Sequence, residues 1–195
     1  MTFKEAHIID QKKHSGDVLK NITPANFANL LLFRLQTLIN QPFNKEGSFL
    51  ALGAGSAQCE LTLASLMGYI SNKQVMLVDR NFSDYLKTEL ETKAILIEQG
   101  IFTFLTGVKE DKGAKESVNP FGFITAIGVE YLFSNQETVE LLLELLSYQT
   151  VPGGILIVNT KGTITLNNYS GWNRLNKDLE VRNSKLPTFD YFKFG

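Results

Sequence analysis

The sequence predicts an α/β fold: a single-domain, doubly wound, mostly parallel sheet of six or seven strands with an N-terminal helical cap. Short apolar runs alternate with amphipathic, helix-length stretches from Ser48 to Asn159, the mark of βαβ units. The runs are continuously apolar, as strands buried on both faces require. The handedness rule for crossovers then leaves few topologies, and a doubly wound sheet satisfies it.

The first 22 residues show weak periodicity. Thr23-Pro24 gives a helix start, with Thr23 as N-cap and Pro24 in the first helical position. The helix runs to about Asn40 and carries Phe27, Leu30, Leu31, Arg34, Leu35 and Leu38 at three-to-four spacing. Phe49–Leu52 reads as the first strand and Ala57–Ile70 as a helix with Leu63, Leu66, Met67 and Ile70 on one face. Val75–Val78 is the second strand, ending in Asp79. Asp84–Gln99 reads as a helix closed by Gly100, and Ile101–Leu105 as the third strand. Residues 107–120 are polar and turn-rich, an expected exposed loop with a charge run of mixed sign.

Phe123–Ile127 is the fourth strand. Ser134 to Glu137 has the spacing of a capping box and opens a helix burying Val139, Leu142, Leu143 and Leu146. Pro152-Gly153-Gly154 turns into a fifth strand, Ile155–Val158. Beyond it the sequence offers a short helix around Trp172–Leu179 and a strand at Phe189–Phe194, with Gly162–Leu166 as a further candidate strand. Residues 1–45 form the expected helical or lid segment and 46–195 the core.

Composition narrows the function. Apolar residues make up 44% and charged residues 20%, an ordinary globular balance. A formal net charge of -1 gives no electrostatic bias toward nucleic acid or an anionic membrane. The N-terminal residues have no apolar run behind a basic start, and Phe27–Leu35 is far shorter than the roughly 20 residues of a membrane span. The single cysteine, Cys59, allows no intrachain disulfide. A cytoplasmic, soluble protein is the expectation. His7 and His14 have no cysteine cluster beside them, so no metal site is expected. Cys59 reads as structural, with no histidine placed by sequence to act as its base.

In doubly wound sheets ligands bind beyond the carboxyl ends of the strands. That directs attention to Gly53-Ala54-Gly55-Ser56-Ala57, where bare backbone turns from strand to helix. An unliganded tight turn has the same appearance. Asp79, at the end of the next strand, adds a carboxylate suited to a pair of ribose hydroxyls; capping the following helix is the plainer role. Gln58 stands where a dinucleotide fingerprint has its third glycine, and no G-K-[ST] follows, so neither that fingerprint nor a P-loop is complete.

The run Phe49-Leu-Ala-Leu-Gly-Ala-Gly-Ser-Ala57 resembles the first motif of the class I S-adenosylmethionine-dependent methyltransferases. Val75-Met-Leu-Val-Asp79 resembles their acidic second strand, and Gly122-Phe-Ile-Thr-Ala-Ile-Gly128 their fourth. Leu143 to Asn159 is similar to their helix, PGG turn and fifth strand. Together these cover about residues 48–160 in the family's order.

The resemblance implies a Rossmann-like methyltransferase fold, S-adenosylmethionine as cofactor and methyl transfer to a small or medium-sized acceptor. It implies Gly53, Ala54, Gly55 and Ser56 beside the methionine part, Asp79 on the ribose, and Arg80 beside the adenine. Thr106, Gly107 and Val108 would flank the adenine, and Ile127 and Gly128 would floor the site near the sulfonium. Glu130 and Tyr131 would face the acceptor as the candidate catalytic pair. Tyr131, Phe133 and Trp172 would line an acceptor pocket or belong to the core.

Two departures from the family stand out. Ala51 occupies a position where these enzymes often carry an acid serving the methionine amino group, a role left to Glu60 or another acid; Ala57 replaces the motif's last glycine. The alternatives are a catalytically inactive, methyltransferase-like interaction module and an NAD-linked oxidoreductase. The expected partner is a small molecule, with no nucleic acid and no membrane span.

Overall fold

Eight strands form one mixed sheet in the order β3-β2-β1-β4-β5-β8-β7-β6 in a computed structural model that describes residues 22–39, 46–110, 119–129, 131–133, 135–160, 166–176 and 188–195. The strands are β1 (Ser48–Leu52), β2 (Val75–Asp79), β3 (Ile95–Glu98), β4 (Phe121–Ala126), β5 (Thr150–Thr160), β6 (Asn168–Tyr169), β7 (Trp172–Arg174) and β8 (Thr188–Phe194). β1 to β5 run parallel, and β8, β7 and β6 pair antiparallel. The count exceeds the expected six or seven.

The helices are α1 (Pro24–Leu38), α2 (Gln58–Met67), α3 (Asp84–Glu91), α4 (Ile101–Glu110) and α5 (Gln136–Ser147). α1, α2 and α3 bury Leu31, Leu63 and Leu86 on one face of the sheet; α4 and α5 bury Phe104 and Leu142 on the other. Chain winding therefore reverses between β1 and β4, which are neighbours. Their carboxyl ends diverge there into helices on opposite faces and leave the crevice in which such sheets bind ligands.

Several elements follow from their residues as expected. Thr23 caps α1 by accepting from the Asn26 N–H at 3.2 Å, with Pro24 behind it. Along α1, Phe27, Leu31 and Leu35 are buried, while Leu30 faces solvent. In α5, Val139, Leu142, Leu143 and Leu146 are buried as the periodicity requires. Its N-cap is Asn135, which accepts from the Thr138 N–H at 2.9 Å. The expected cap, Ser134, lies outside the described residues. Pro152-Gly153-Gly154 sits within β5: Phe121 pairs with Thr150 and Phe123 with Ile155, so the glycines fill a bulge.

The largest correction concerns residues 92–110. Helix α3 stops at Glu91, and Ile95–Glu98 is the third strand. Ile101–Glu110, read as strand and then loop, is helix α4, burying Ile101, Phe104 and Leu105 at helical spacing. Gly100 joins β3 to α4 and closes no helix.

The second correction is at the C-terminus. Trp172–Arg174 is a strand, joined to β6 by a tight turn whose central residues, Ser170 and Gly171, both have positive φ (47° and 84°). Trp172 is core, and its indole N–H donates to the Leu143 carbonyl at 2.9 Å. The candidate strand at Gly162 and the end of the predicted helix, Leu179, fall outside the described residues. Among the described residues no helix is long and apolar enough to cross a membrane.

Candidate functional site

The carboxyl edge of the sheet is built around the chain's path from β1 into α2. Gly53 and Ala54 donate their N–H groups to the Val78 carbonyl at 2.7 and 3.2 Å, folding the turn over the end of β2. Gly53, Gly55 and Ala57 have φ of 72°, 52° and 57°. Glycine adopts such angles without strain, whereas an alanine there is held against its preference at about 1–2 kcal/mol. Ala57→Gly relieves that conformation and gives up one buried methyl, worth about 0.8 kcal/mol. The variant is expected to unfold within about 1 kcal/mol of the parent in urea; a larger loss means that the methyl packs indispensably.

Asp79 reaches back from β2 to this turn. Its Oδ2 accepts the Gly55 N–H at 2.9 Å, and its Oδ1 accepts the Asn81 N–H at 3.3 Å. The half-buried carboxylate therefore spans the tips of β1 and β2. Arg80 is exposed beside it and reaches the β3–α4 junction, where a Cβ added at Gly100 would lie 4.0 Å from its Nε. Glu98, at the end of β3, accepts the Phe82 N–H at 3.1 Å and pairs with Lys87 at 2.9 Å. The Lys87 hydrogen bond, then the Phe82 N–H, holds its carboxyl below the usual range.

From β4, Ile127 is buried and Gly128 is exposed with φ 76°. A Cβ built on Gly128 meets nothing within 4 Å, so the backbone there borders open space. Val129 turns inward, and a Cβ on Gly53 would stand 2.1 Å from its Cγ1. The two loops that flank the crevice thus press against each other at a position where only glycine fits. Tyr131 is 63% exposed and free of the core, whereas Phe133 is buried in edge-on contact with Phe102. Glu130 lies outside the described residues.

Gly53, Ala54, Gly55, Ser56, Asp79, Arg80, Ile127 and Gly128 therefore all stand at the carboxyl edge, on β1, β2, β4 and the loops that follow them. Thr106, Gly107 and Val108 do not. They lie far along α4, which runs from that edge to the opposite one. The Val108 carbonyl accepts from Gln149, which precedes β5 at the amino edge. Their expected position, the end of the third strand, is taken by Gln99 and Gly100. The signal was Ile95-Leu-Ile97 followed by a glycine, obscured because Leu86, Leu90, Ala94 and Ile97 continue a helical stripe.

Cys59 is a half-buried free thiol. Burial, with a smaller push from Glu60, raises its pKa well above the ordinary value, the opposite of an activated nucleophile.

No family model matches the sequence, and no curated protein matches it. Solved structures do resemble the fold. CalS10, an amino pentose methyltransferase from Micromonospora echinaspora solved with S-adenosylmethionine bound, is 13% identical with a TM-score of 0.50; the match covers 89% of this chain and 62% of that one. The chain thus spans less than two thirds of the length of CalS10. N-methyltransferase NodS from Bradyrhizobium japonicum is 11% identical, with a TM-score of 0.52 over 89% of this chain and 98% of NodS. The Burkholderia thailandensis 1,6-didemethyltoxoflavin-N1-methyltransferase is 10% identical, with a TM-score of 0.52 over 98% and 88% of the two chains. At these identities the similarity is one of architecture: the chain has the mixed α/β, mostly parallel fold of solved Rossmann-like methyltransferases.

Proposed function

We propose that the chain is an S-adenosylmethionine-dependent methyltransferase acting on a small or medium-sized acceptor. The observation that carries this reading is the Asp79 carboxylate, held across the tips of β1 and β2 by the Gly55 N–H, one strand from the β1–β4 point where the sheet's winding reverses. The surroundings fit a nucleoside with an amino-acid tail. Positive-φ backbone at Gly53 and Gly55 presents no side chain, and the space over Gly128 is open. The N-terminus of α2 faces the same edge, with partial positive charge for a carboxylate.

In this reading Asp79 accepts the ribose hydroxyls and Arg80 lies beside the adenine. Gly53, Ala54, Gly55 and Ser56 border the amino-acid tail, and Ile127 and Gly128 form the floor near the reacting centre. When bound, the cofactor supplies a methyl group already activated on a sulfonium. The chain's task is then chiefly to align an acceptor and exclude water. Tyr131, exposed two residues beyond Val129, and Glu130 are placed by sequence to orient that acceptor or take its proton.

Asp79→Ala tests the reading. The variant is expected to bind S-adenosylhomocysteine at least tenfold more weakly by calorimetry, about 1.4 kcal/mol. Asp79→Asn keeps an oxygen for the Gly55 N–H and separates the charge from the turn it supports. Unchanged affinity in a folded Asp79→Ala protein removes the ribose assignment.

A further inference from the structure

Two hydroxyls and a guanidinium lie on the face of the sheet that α1 covers. Leu77, Ala51, Thr125, Ile157 and Tyr191 form a single row across β2, β1, β4, β5 and β8, so their side chains share one face. That face is otherwise apolar: Ala51, Phe123, Ile127, Ile157 and Phe189 belong to the cluster that α1 joins through Phe27, Leu31 and Leu35. Thr125 is 1% exposed and Tyr191 0%. Neither hydroxyl has a hydrogen-bond partner. A buried hydroxyl left without one costs stability, and in a native fold it calls for a ligand or an ordered water.

The third group comes from α1, which lies along β8. Phe27 packs on Phe189 with ring centroids 5.5 Å apart, and the Arg34 guanidinium stands 5.9 Å from the centroid of the Tyr191 ring. Arg34 is half-buried and is the one charged residue of α1. Among the described residues no carboxylate pairs with it. Burial pushes the Tyr191 phenol above its ordinary pKa, with Arg34 pulling it down and Asp190 pushing it up, so at neutral pH it is protonated and able to donate. Ile127, two residues beyond Thr125 on β4, faces the same side. A molecule reaching from Ile127 toward Tyr191 crosses two strand spacings, about 10 Å. Along that path it meets an alcohol, a phenol and a guanidinium. A cation beside neutral donors is a set suited to an oxyanion.

Resting on the methyltransferase reading above, which puts the reacting centre at Ile127 and Gly128, we propose that the acceptor binds between α1 and the β4–β5–β8 part of the sheet and carries an oxyanion at the end remote from the methylated atom. Arg34 and Tyr191 hold the oxyanion, and Thr125 Oγ1 meets a polar group nearer the reacting centre. The acceptor parts α1 from β8 as it enters. The subsite selects an anionic acceptor over a neutral one of the same shape.

Three probes of about this length differ chiefly in the remote group: 3-(4-hydroxyphenyl)propanoate, its primary amide, and 3-(4-hydroxyphenyl)propyl phosphate. Each is titrated calorimetrically into the full chain saturated with S-adenosylhomocysteine. At least one anion is expected to bind at least tenfold more tightly than the amide, the scale of a charge-assisted hydrogen bond. Which anion gains more distinguishes a carboxylate from a phosphate. Arg34→Gln is expected to remove the preference and to leave S-adenosylhomocysteine affinity unchanged. Tyr191→Phe removes only the unpartnered hydroxyl. It is expected to fold at least as stably as the parent and to weaken the favoured anion about tenfold, which keeps the test decisive should Arg34→Gln fold poorly. Equal binding of anions and amide, no binding of any probe at millimolar concentration, or a preference that neither variant moves overturns the subsite while the nucleoside site stands. A folded parent that does not bind S-adenosylhomocysteine overturns the methyltransferase reading itself, and the subsite with it.

Discussion

Asp190→Ala is expected to lower the unfolding free energy by about 3–5 kcal/mol, the usual cost of breaking a buried ion pair by removing one partner. Asp190 of β8 is fully buried and pairs with Arg174 of β7, whose side chain is 3% exposed. The carboxylate also accepts from the Thr160 hydroxyl at 2.6 Å and lies 3.4 Å from the Asn176 amide. Asn176 in turn donates to the Phe189 carbonyl and accepts the Tyr191 N–H, each at 3.1 Å, so it binds the backbone of β8 where regular pairing with β7 stops. Removing the carboxylate takes the Asp190 partner from a buried guanidinium and its hydrogen bond from the Thr160 hydroxyl of β5. Domains of this kind are ordinarily stable by about 5–15 kcal/mol, so the loss is a large share. Urea unfolding should show a lower midpoint with an unchanged slope. The double variant Asp190→Leu, Arg174→Met should recover much of it, because both buried charges of the pair are removed together. A single-variant loss below about 1 kcal/mol contradicts a dry pair.

Gly53→Ala should be nearly as costly, at about 2–5 kcal/mol, and on the proposed function should also weaken S-adenosylhomocysteine binding. Two terms add. The φ of 72° costs an alanine about 1–2 kcal/mol. The new methyl also meets Val129 Cγ1 at 2.1 Å, an overpacking that costs about 1–3 kcal/mol. Val129→Ala removes the second term only. The double variant Gly53→Ala, Val129→Ala should therefore regain part of the stability, with a coupling of about 1 kcal/mol or more in a double-mutant cycle. Strict additivity would mean that the two loops do not touch.

Most of the parallel half of the sheet was legible because β1, β2, β4 and the second part of β5 are largely apolar runs bounded by turn residues. Phe49–Leu52, Val75–Val78 and Phe123–Ile127 are found within two residues of their places. The glycine turn and Asp79 were legible for the same reason, as punctuation at strand ends. What failed was residues 92–110, where local pattern and tertiary placement disagree. Ile95-Leu-Ile97 falls on the helical stripe of α3, and Ile101-Phe-Thr-Phe has the β-branched and aromatic look of a strand while packing one side as a helix. That single exchange displaced Thr106, Gly107 and Val108 from the site. The β6–β7 hairpin was missed because its strands are only two and three residues long and its turn signal is the lone dipeptide Ser170-Gly171. The orphaned hydroxyl of Thr125 was beyond reach of sequence, since it appears only once the strands are placed in register.

A nucleoside with an amino-acid tail is proposed to lie across the carboxyl edge, and calorimetric titration of the parent protein with S-adenosylhomocysteine measures that most directly. Saturable one-to-one binding, weakened at least tenfold in Asp79→Ala and without an equivalent for NADH, is the predicted result. No heat at millimolar ligand, from protein shown to be folded, would contradict it and leave the chain with the architecture of a methyltransferase but not the activity.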